Sequence, residues 1–418
     1  MPRLAPLIIL AFVGGCTHAA PAPDRAPTAS STNAQSEDRI ERGRYLARVA
    51  DCAPCHAGPN GEPYAGGKSL STPFGKLLAS NITPNPTTGI GAWSDEEFVR
   101  AVREGLGRHG EHLYPAMPYP YYTRMSAHDV LAVRAYLATV APVSHPVEEN
   151  QLPFPFRIRS FVALWNGLYF NPGEFVPTPD RTAPWNRGAY LVEGPGHCGD
   201  CHTPKSLLGG EDAQHPLVGG VLQGWFSPNL RDGRRTGLGA WSSAETVAYL
   251  KTGSNSYAAA SGPMGEVIAN STSRMTDPDL EAIATYLKSR AQPADDAAGG
   301  AGPAAELLAT GEAVYLDACA SCHRADGGGV AHLFPPLKGS PVVQSNDPAT
   351  LIRVVLHGTQ NVATDGAPTG ASMPAFGWSL SDAQVAAALT YVRNSWGNAA
   401  PAVASVTVET ARRKPGDL

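Results

Sequence analysis

Three stretches of the chain place apolar residues at helical spacing shortly after a hydroxyl residue. Val130, Val133, Tyr136 and Leu137 follow Ser126; Leu280, Ile283, Tyr286 and Leu287 follow Thr276; Val385, Leu389 and Val392 follow Ser381. Each pattern predicts a helix whose N-cap is the hydroxyl residue. Upstream of each lies a shorter helical pattern marked by a glycine and a tyrosine: Gly43 and Tyr45, Gly188 and Tyr190, Gly311 and Tyr315. The string Thr88-Gly-Ile-Gly-Ala-Trp93-Ser94 recurs as Thr236-Gly-Leu-Gly-Ala-Trp241-Ser242, so the first two units read as a duplication and the third as a divergent, more compact relative.

The patterns divide the chain into a mainly α protein of three tandem domains, over residues 38–142, 185–292 and 304–398. With 44 Gly and 38 Pro in 418 residues, long loops are expected between short helices. Residues 17–37, rich in Ala, Pro, Ser and Thr, read as a flexible tether, and 293–303 as a low-complexity linker. The connector 143–184 carries Phe154, Phe156, Phe161, Trp165, Tyr169 and Phe170, which predicts packing between domains because so much aromatic surface is costly to leave in water. Residues 399–418 form a short polar tail. A net charge of −5 gives no case for nucleic-acid binding.

At the N-terminus, Arg3, an apolar run from Leu4 to Val13, and Gly14-Gly15-Cys16 read as an export signal. The run is too short to span a bilayer, and no later segment offers about twenty apolar residues. Residues 1–16 resemble a bacterial lipoprotein signal, in which Cys16 would be acylated and become the new N-terminus. The alternative is an ordinary signal peptide cut near the following Ala/Pro run.

The other six cysteines form three Cys-x-x-Cys-His units: Cys52, Cys55 and His56; Cys198, Cys201 and His202; Cys319, Cys322 and His323. This is the c-type haem attachment spacing. A disulfide framework gives no reason for the histidines, and zinc would consume two pairs and orphan the third. Covalent haem at each unit puts the imidazole on iron, leaving the second axial ligand to decide between electron exchange and chemistry at an open site. Met117 lies 61 residues after His56, Met264 lies 62 after His202, and Met373 lies 50 after His323. Each neighbours a proline (Pro118, Pro263, Pro374), as expected of rigid loops holding a thioether, so these three are the expected distal ligands. Met125 and Met275 fit core packing better. His109, His112, His197, His332 and His357 recur at no matching position. Trp93 and Trp241 read as buried indoles with bonded N–H groups, the alternative being that they abut the haem edges or propionates. No dinucleotide loop, nucleophile elbow or carboxylate pair stands out, so no catalytic residue is expected.

With Tyr114-Pro-Ala-Met117-Pro-Tyr119 and Trp185-Asn-Arg-Gly-Ala-Tyr190-Leu-Val-Glu-Gly-Pro-Gly-His197, residues 38 to 397 resemble the three-haem cytochrome c subunit of membrane-bound bacterial dehydrogenases. The resemblance implies three cytochrome c-type domains, three covalently bound haem c groups, and electron transfer without substrate turnover by this chain. It implies a catalytic partner subunit with a flavin, pyrroloquinoline quinone or molybdenum cofactor, acting on CH-OH donors such as alcohols, sugars and sugar acids, or on aldehydes. The family hands electrons to ubiquinone; a terminal oxidase or another cytochrome is the other acceptor considered. Family members often carry an apolar C-terminal segment, which the tail from Ala399 to Leu418 lacks, and a lipid on Cys16 would substitute for it on the periplasmic face of the membrane. Two competing expectations are a haem peroxidase or reductase with a displaceable ligand, and a free-standing membrane-tethered carrier.

Overall fold

The computed structural model describes residues 29–291 and 302–413. Cys16 and most of the 293–303 linker lie outside the described residues. The first repeat contains α1 (Ala29–Val49), the single turn α2 (Cys52–Cys55), a hairpin of β1 (Ser69–Thr72) and β2 (Gly75–Leu78), then α3 (Asp95–Glu104), α4 (Tyr119–Tyr122) and α5 (Ala127–Leu137). The connector holds α6 (Ser160–Tyr169). The second repeat contains α7 (Ala183–Glu193), α8 (Gly199–His202), a hairpin of β3 (Gly220–Leu222) and β4 (Trp225–Ser227), α9 (Ser243–Thr252), α10 (Gly262–Asn270), a 3-10 turn and α11 (Asp277–Lys288). The third contains α12 (Ala305–Ala318), α13 (Ala320–His323), α14 (Pro341–Gln344), α15 (Ala349–His357), paired β5 (Thr359–Gln360) and β6 (Ser372–Met373), α16 (Asp382–Asn394) and α17 (Ser405–Arg413).

The caps follow the hydroxyl pattern. Ser126 Oγ accepts the Asp129 N–H, and Ser381 forms a reciprocal capping box with Gln384. Thr276 occupies the cap position of α11 without a side-chain bond. The recurring Trp-Ser strings end on caps too: Ser94 begins α3 and Ser242 begins α9. Their loops repeat the same backbone bonds, Ile90 N–H to Thr83 O and Leu238 N–H to Arg231 O, both followed by a turn closing on the Trp N–H.

Within each repeat the first and last long helices cross at the glycine noted in the sequence. A Cβ on Gly43, Gly188 or Gly311 would fall 1.8, 2.0 or 2.2 Å from the carbonyl oxygen of Ala132, Ala282 or Ala387 respectively. The backbones touch there, so hydrogen at the α-carbon is all the crossing admits. Around the crossings, Leu46, Val130 and Leu137 fill the first core, Leu191, Leu280 and Tyr286 the second, and Tyr315, Val385 and Val392 contribute to the third. Val49, at the end of α1, belongs to the core of the second repeat, so the first two share an apolar boundary.

Three expectations need correction. α1 starts at Ala29, inside the segment read as a tether. The polar tail contains α17, which packs on the third repeat: Val408 is fully buried and Arg412 bonds Asp382 at 2.7 Å, because its apolar side was masked by charged neighbours. The aromatic connector is only half packed. Trp165 Nε1 donates to Leu208 O at 3.0 Å and the Phe170 ring meets Tyr119 edge-on, but α6 is apolar nearly all round and only one face can be covered, so Phe161, Leu164 and Leu168 are exposed.

Candidate haem sites

Each Cys-x-x-Cys-His unit forms one helical turn, closed by the histidine N–H onto the carbonyl of the first cysteine: His56 to Cys52 at 3.1 Å, His202 to Cys198 at 3.1 Å, His323 to Cys319 at 3.0 Å. With 3.6 residues per turn, positions i, i+3 and i+4 share one side of that turn, so both thiols and the imidazole can reach a single planar ligand. The imidazoles are oriented alike. Nδ1 of His56 donates to Ser80 O at 2.6 Å, that of His202 to Pro228 O at 2.6 Å, and that of His323 to Pro335 O at 3.0 Å. A carbonyl can only accept, which fixes the proton on Nδ1 and leaves the Nε2 lone pair for a metal. Burial holds all three rings below the usual histidine pKa, as neutral imidazoles, against a smaller opposing pull from the carbonyl.

Burial pushes the Cys52 thiol up to about 12 and those of Cys198 and Cys319 up to about 11, so they rest protonated, unlike zinc-binding thiolates. Among the described residues, no group of three or more His, Cys, Asp or Glu side chains converges to hold a bare ion. The Trp241 indole N–H, expected to be bonded, is buried without a protein partner. A haem carboxylate would offer an acceptor for this N–H, so the residues present fit the group. The haem iron brings one-electron exchange, tuned by its axial ligands and surroundings.

The methionines sort into two sets. Met125 and Met275 are 2% and 3% exposed and fill the first and second cores. Met117, Met264 and Met373 are only half-buried. Met117 sits in the turn before α4, where its N–H bonds Tyr114 O at 3.1 Å, and Met373 lies on β6. Met264 departs from the expected loop: it lies in the first turn of α10, where Pro263 follows Gly262, its fixed φ and missing N–H suiting the first turn.

The sites are tied together in two ways. Between the first and second repeats the ties are reciprocal: Tyr45 Oη donates to Asp279 and Tyr190 Oη to Asp129, both at 2.5 Å. Each carboxylate also holds its own repeat's arginine, Arg42 on Asp129 at 2.5 Å and Arg187 on Asp279 through two bonds of 2.8 and 2.7 Å. Burial alone would raise these carboxyls, but the arginine and tyrosine bonds outweigh it and hold both below the usual aspartate range. Nearby, Tyr121 on α4 donates to Glu211, and its hydroxyl is 2.3 Å from where a Cβ of Gly199, inside the second Cys-x-x-Cys turn, would stand. The second and third repeats meet at their methionine segments. Thr359 pairs with Met373, Asn361 with Ser261, and the Val362 N–H bonds Ala260 O at 2.9 Å, three residues before Pro263. The reciprocal lock had a trace in the sequence, Arg42-Gly43-x-Tyr45 against Arg187-Gly188-x-Tyr190, whereas carbonyl acceptors leave none.

Comparison with known proteins agrees with this construction. The family model for cytochrome c matches residues 40–141 and 308–396. The cytochrome c subunit of alcohol dehydrogenase (quinone) from Gluconacetobacter polyoxogenes is 40% identical, the alignment covering 90% of this chain and 84% of that one. The chain belongs to this family of dehydrogenase cytochrome c subunits. The gluconate 2-dehydrogenase cytochrome c subunit of Pantoea cypripedii is likewise 40% identical, over 90% of this chain and 89% of its own. The fructose dehydrogenase cytochrome subunit of Gluconobacter japonicus is 37% identical over 92% and 84%. As a family member the chain is a mainly helical electron-carrier subunit holding haem c through its three Cys-x-x-Cys pairs. No helix among the described residues is long and apolar enough to cross a membrane.

Proposed function

We propose that this chain binds three six-coordinate haems, His56 opposite Met117, His202 opposite Met264 and His323 opposite Met373, each haem attached through Cys52 and Cys55, Cys198 and Cys201, or Cys319 and Cys322. The carrying observation is the threefold repetition of one arrangement: an imidazole with Nδ1 anchored on a carbonyl, and one half-buried methionine per repeat, less buried than Met125 and Met275. His/Met ligation closes both axial positions and favours a relatively high potential, suited to relaying electrons. The electrons come from a separate catalytic subunit that oxidises an alcohol, sugar or sugar acid, as the names of the relatives suggest. They leave to ubiquinone on the periplasmic face of the membrane, where acylation of Cys16 would tether the chain. Each of the three repeats, expected over 38–142, 185–292 and 304–398, would carry one haem.

The test is spectroscopic. Holoprotein should show three haems by mass, methionine-to-ferric charge-transfer absorption, and no carbon monoxide adduct when reduced; Met117→Ala, Met264→Ala or Met373→Ala should each open one carbon monoxide site. Stoichiometric binding at one haem of the parent protein, with rapid oxidation by peroxide, would establish the peroxidase-type reading instead.

A further inference from the structure

The connector and a loop of the second repeat build one apolar face. Phe154 is 72% exposed and Leu207 98%, with Phe161, Leu164, Leu168 and Leu208 also open to solvent. The two segments are joined, not merely near: Trp165 Nε1 bonds Leu208 O at 3.0 Å and Ser206 Oγ bonds Tyr169 Oη at 3.0 Å. Six such side chains expose on the order of 600 Å², at the top of the range for the largest patch on an ordinary monomer.

We propose that this face seats the chain directly on an anionic lipid bilayer, independently of any acyl chain on Cys16. Charge selects the occupant. The 23 residues from Gln151 to Gly173 hold two arginines, Arg157 and Arg159, and no acidic residue; Glu148, Glu149 and Glu174 lie just beyond their ends, and beside the leucine loop Glu211 is engaged by Lys205 and Tyr121 and Asp212 by His215. Apolar side chains flanked by arginine, with Trp165 and Tyr169 at the edge holding their polar atoms on backbone and serine, is the make-up of an interfacial helix. Leu207 and Leu208 stand at a loop tip followed by Gly209 and Gly210, a projection that sinks into acyl chains without needing a matching hole. The ten residues of α6 are too few to cross a bilayer, so the segment lies in the interface plane.

This seat adjoins the first haem site. Tyr114 Oη donates to Phe156 O at 2.9 Å, Arg159 donates to His112 O at 2.7 Å, and Tyr119 Oη bonds Asn166 at 2.6 Å, so the segment carrying Met117 is braced on the membrane-facing connector. The first domain is thereby held beside the phase in which a lipid-soluble electron acceptor dissolves.

The experiment uses holoprotein exported behind a cleavable signal with Cys16 absent from the mature chain, isolated without its catalytic partner. It is floated with vesicles of phosphatidylethanolamine and phosphatidylglycerol, and haem absorbance is read in the floated layer. The protein should float with these vesicles and far less with neutral phosphatidylcholine. The Leu164→Glu/Leu207→Glu pair should cut the bound fraction at least tenfold with haem content and reduced spectrum unchanged, and Arg157→Glu alone should weaken binding in a salt-sensitive way. Failure of the parent to float, or equal flotation of the double variant, would overturn the proposal. So would a double variant that floats normally but no longer co-purifies with a catalytic subunit, which would give this face to that protein.

Discussion

Replacing Gly188 by alanine pits two physical effects of opposite sign against each other. Intrinsic preference favours alanine in a helix interior by about 1 kcal/mol, so on that ground α7 should gain. The crossing forbids it. The new methyl would sit 2.0 Å from Ala282 O and 2.5 Å from the carbonyl carbon, where ordinary contact begins at 3.4 Å. The shortfall is about 1.4 Å, and it is set against backbone, which cannot rotate away. If α7 and α11 part by that much, the contacts that Leu191, Leu280 and Ile283 make across the seam lose much of their dispersion energy, since a gap of about 0.5–1 Å already forfeits a quarter to a half of each well. Overpacking of this kind costs about 3 kcal/mol, leaving a net loss of about 2 kcal/mol after the propensity gain. Gly167 is the control, for it is also inside a helix, but its Cβ would meet nothing within 4 Å. Urea unfolding of holoprotein, followed by far-ultraviolet circular dichroism, should therefore give a lowered midpoint for Gly188→Ala and an unchanged or raised one for Gly167→Ala. Equal midpoints for the two variants at equal slope would refute the reasoning.

Tyr45→Phe removes a hydroxyl bonded to a charged carboxylate and should cost about 2 kcal/mol, with Tyr190→Phe matching it because the lock is reciprocal; urea midpoints of the single and double variants test this. The folded pKa values of Asp129 and Asp279 are depressed, so their stabilisation is complete above the unfolded value of about 3.9 and is lost as pH falls through the lower folded values. An acid titration of stability should lose part of its slope in that window in Asp279→Asn. Arg393 is fully buried and bonds three carbonyls, Pro401 at 3.0 Å, Val343 at 3.2 Å and Ser345 at 2.8 Å, so Arg393→Met should destabilise the third domain by about 3 kcal/mol or more by stranding those acceptors, read as an early calorimetric transition.

Covalent chemistry was the most legible part of the chain, because a single helical turn makes the spacing of Cys, Cys and His local. The caps at Ser126 and Ser381 and the core placement of Met125 and Met275 were legible for the same reason: they depend on neighbours within a few residues. What depends on distant backbone was not. Ser80, Pro228 and Pro335 act through carbonyls that every residue possesses. The Tyr45–Asp279 bond joins positions 234 residues apart and requires the placement of one repeat against the other. Pro263 misled because proline punctuates loops and also begins helices, and α6 misled because its composition announces burial without saying how many faces a neighbour covers.

The third domain differs from the first two at one decisive position. Where α5 and α11 present Asp129 and Asp279, three residues past their caps, α16 presents Gln384, which turns back to cap its own helix. It therefore has no acid to offer in a reciprocal lock, and Asp382 is taken by Arg412 of α17. The domain joins the second instead through the strand-like pairing of Ser261 and Val362 with neighbours beside Met264 and Met373, through Thr350 on Phe226, and through Arg235 on the Ala399 carbonyl. The second domain thus touches the first near its cysteine turn, through Tyr121 and Gly199, and the third both beside Met264 and along the hairpin that leads to Pro228, where Phe226 and Thr350 bond each other. Electrons passing between the first and third haems are expected to cross the second. Cys198→Ala/Cys201→Ala, which deletes that haem, should leave one terminal haem reduced rapidly by the partner dehydrogenase and slow the other by orders of magnitude in stopped-flow absorbance. Parent-like reduction of both remaining haems would show that the outer domains exchange electrons directly, and the middle position inferred from these contacts would carry no kinetic weight.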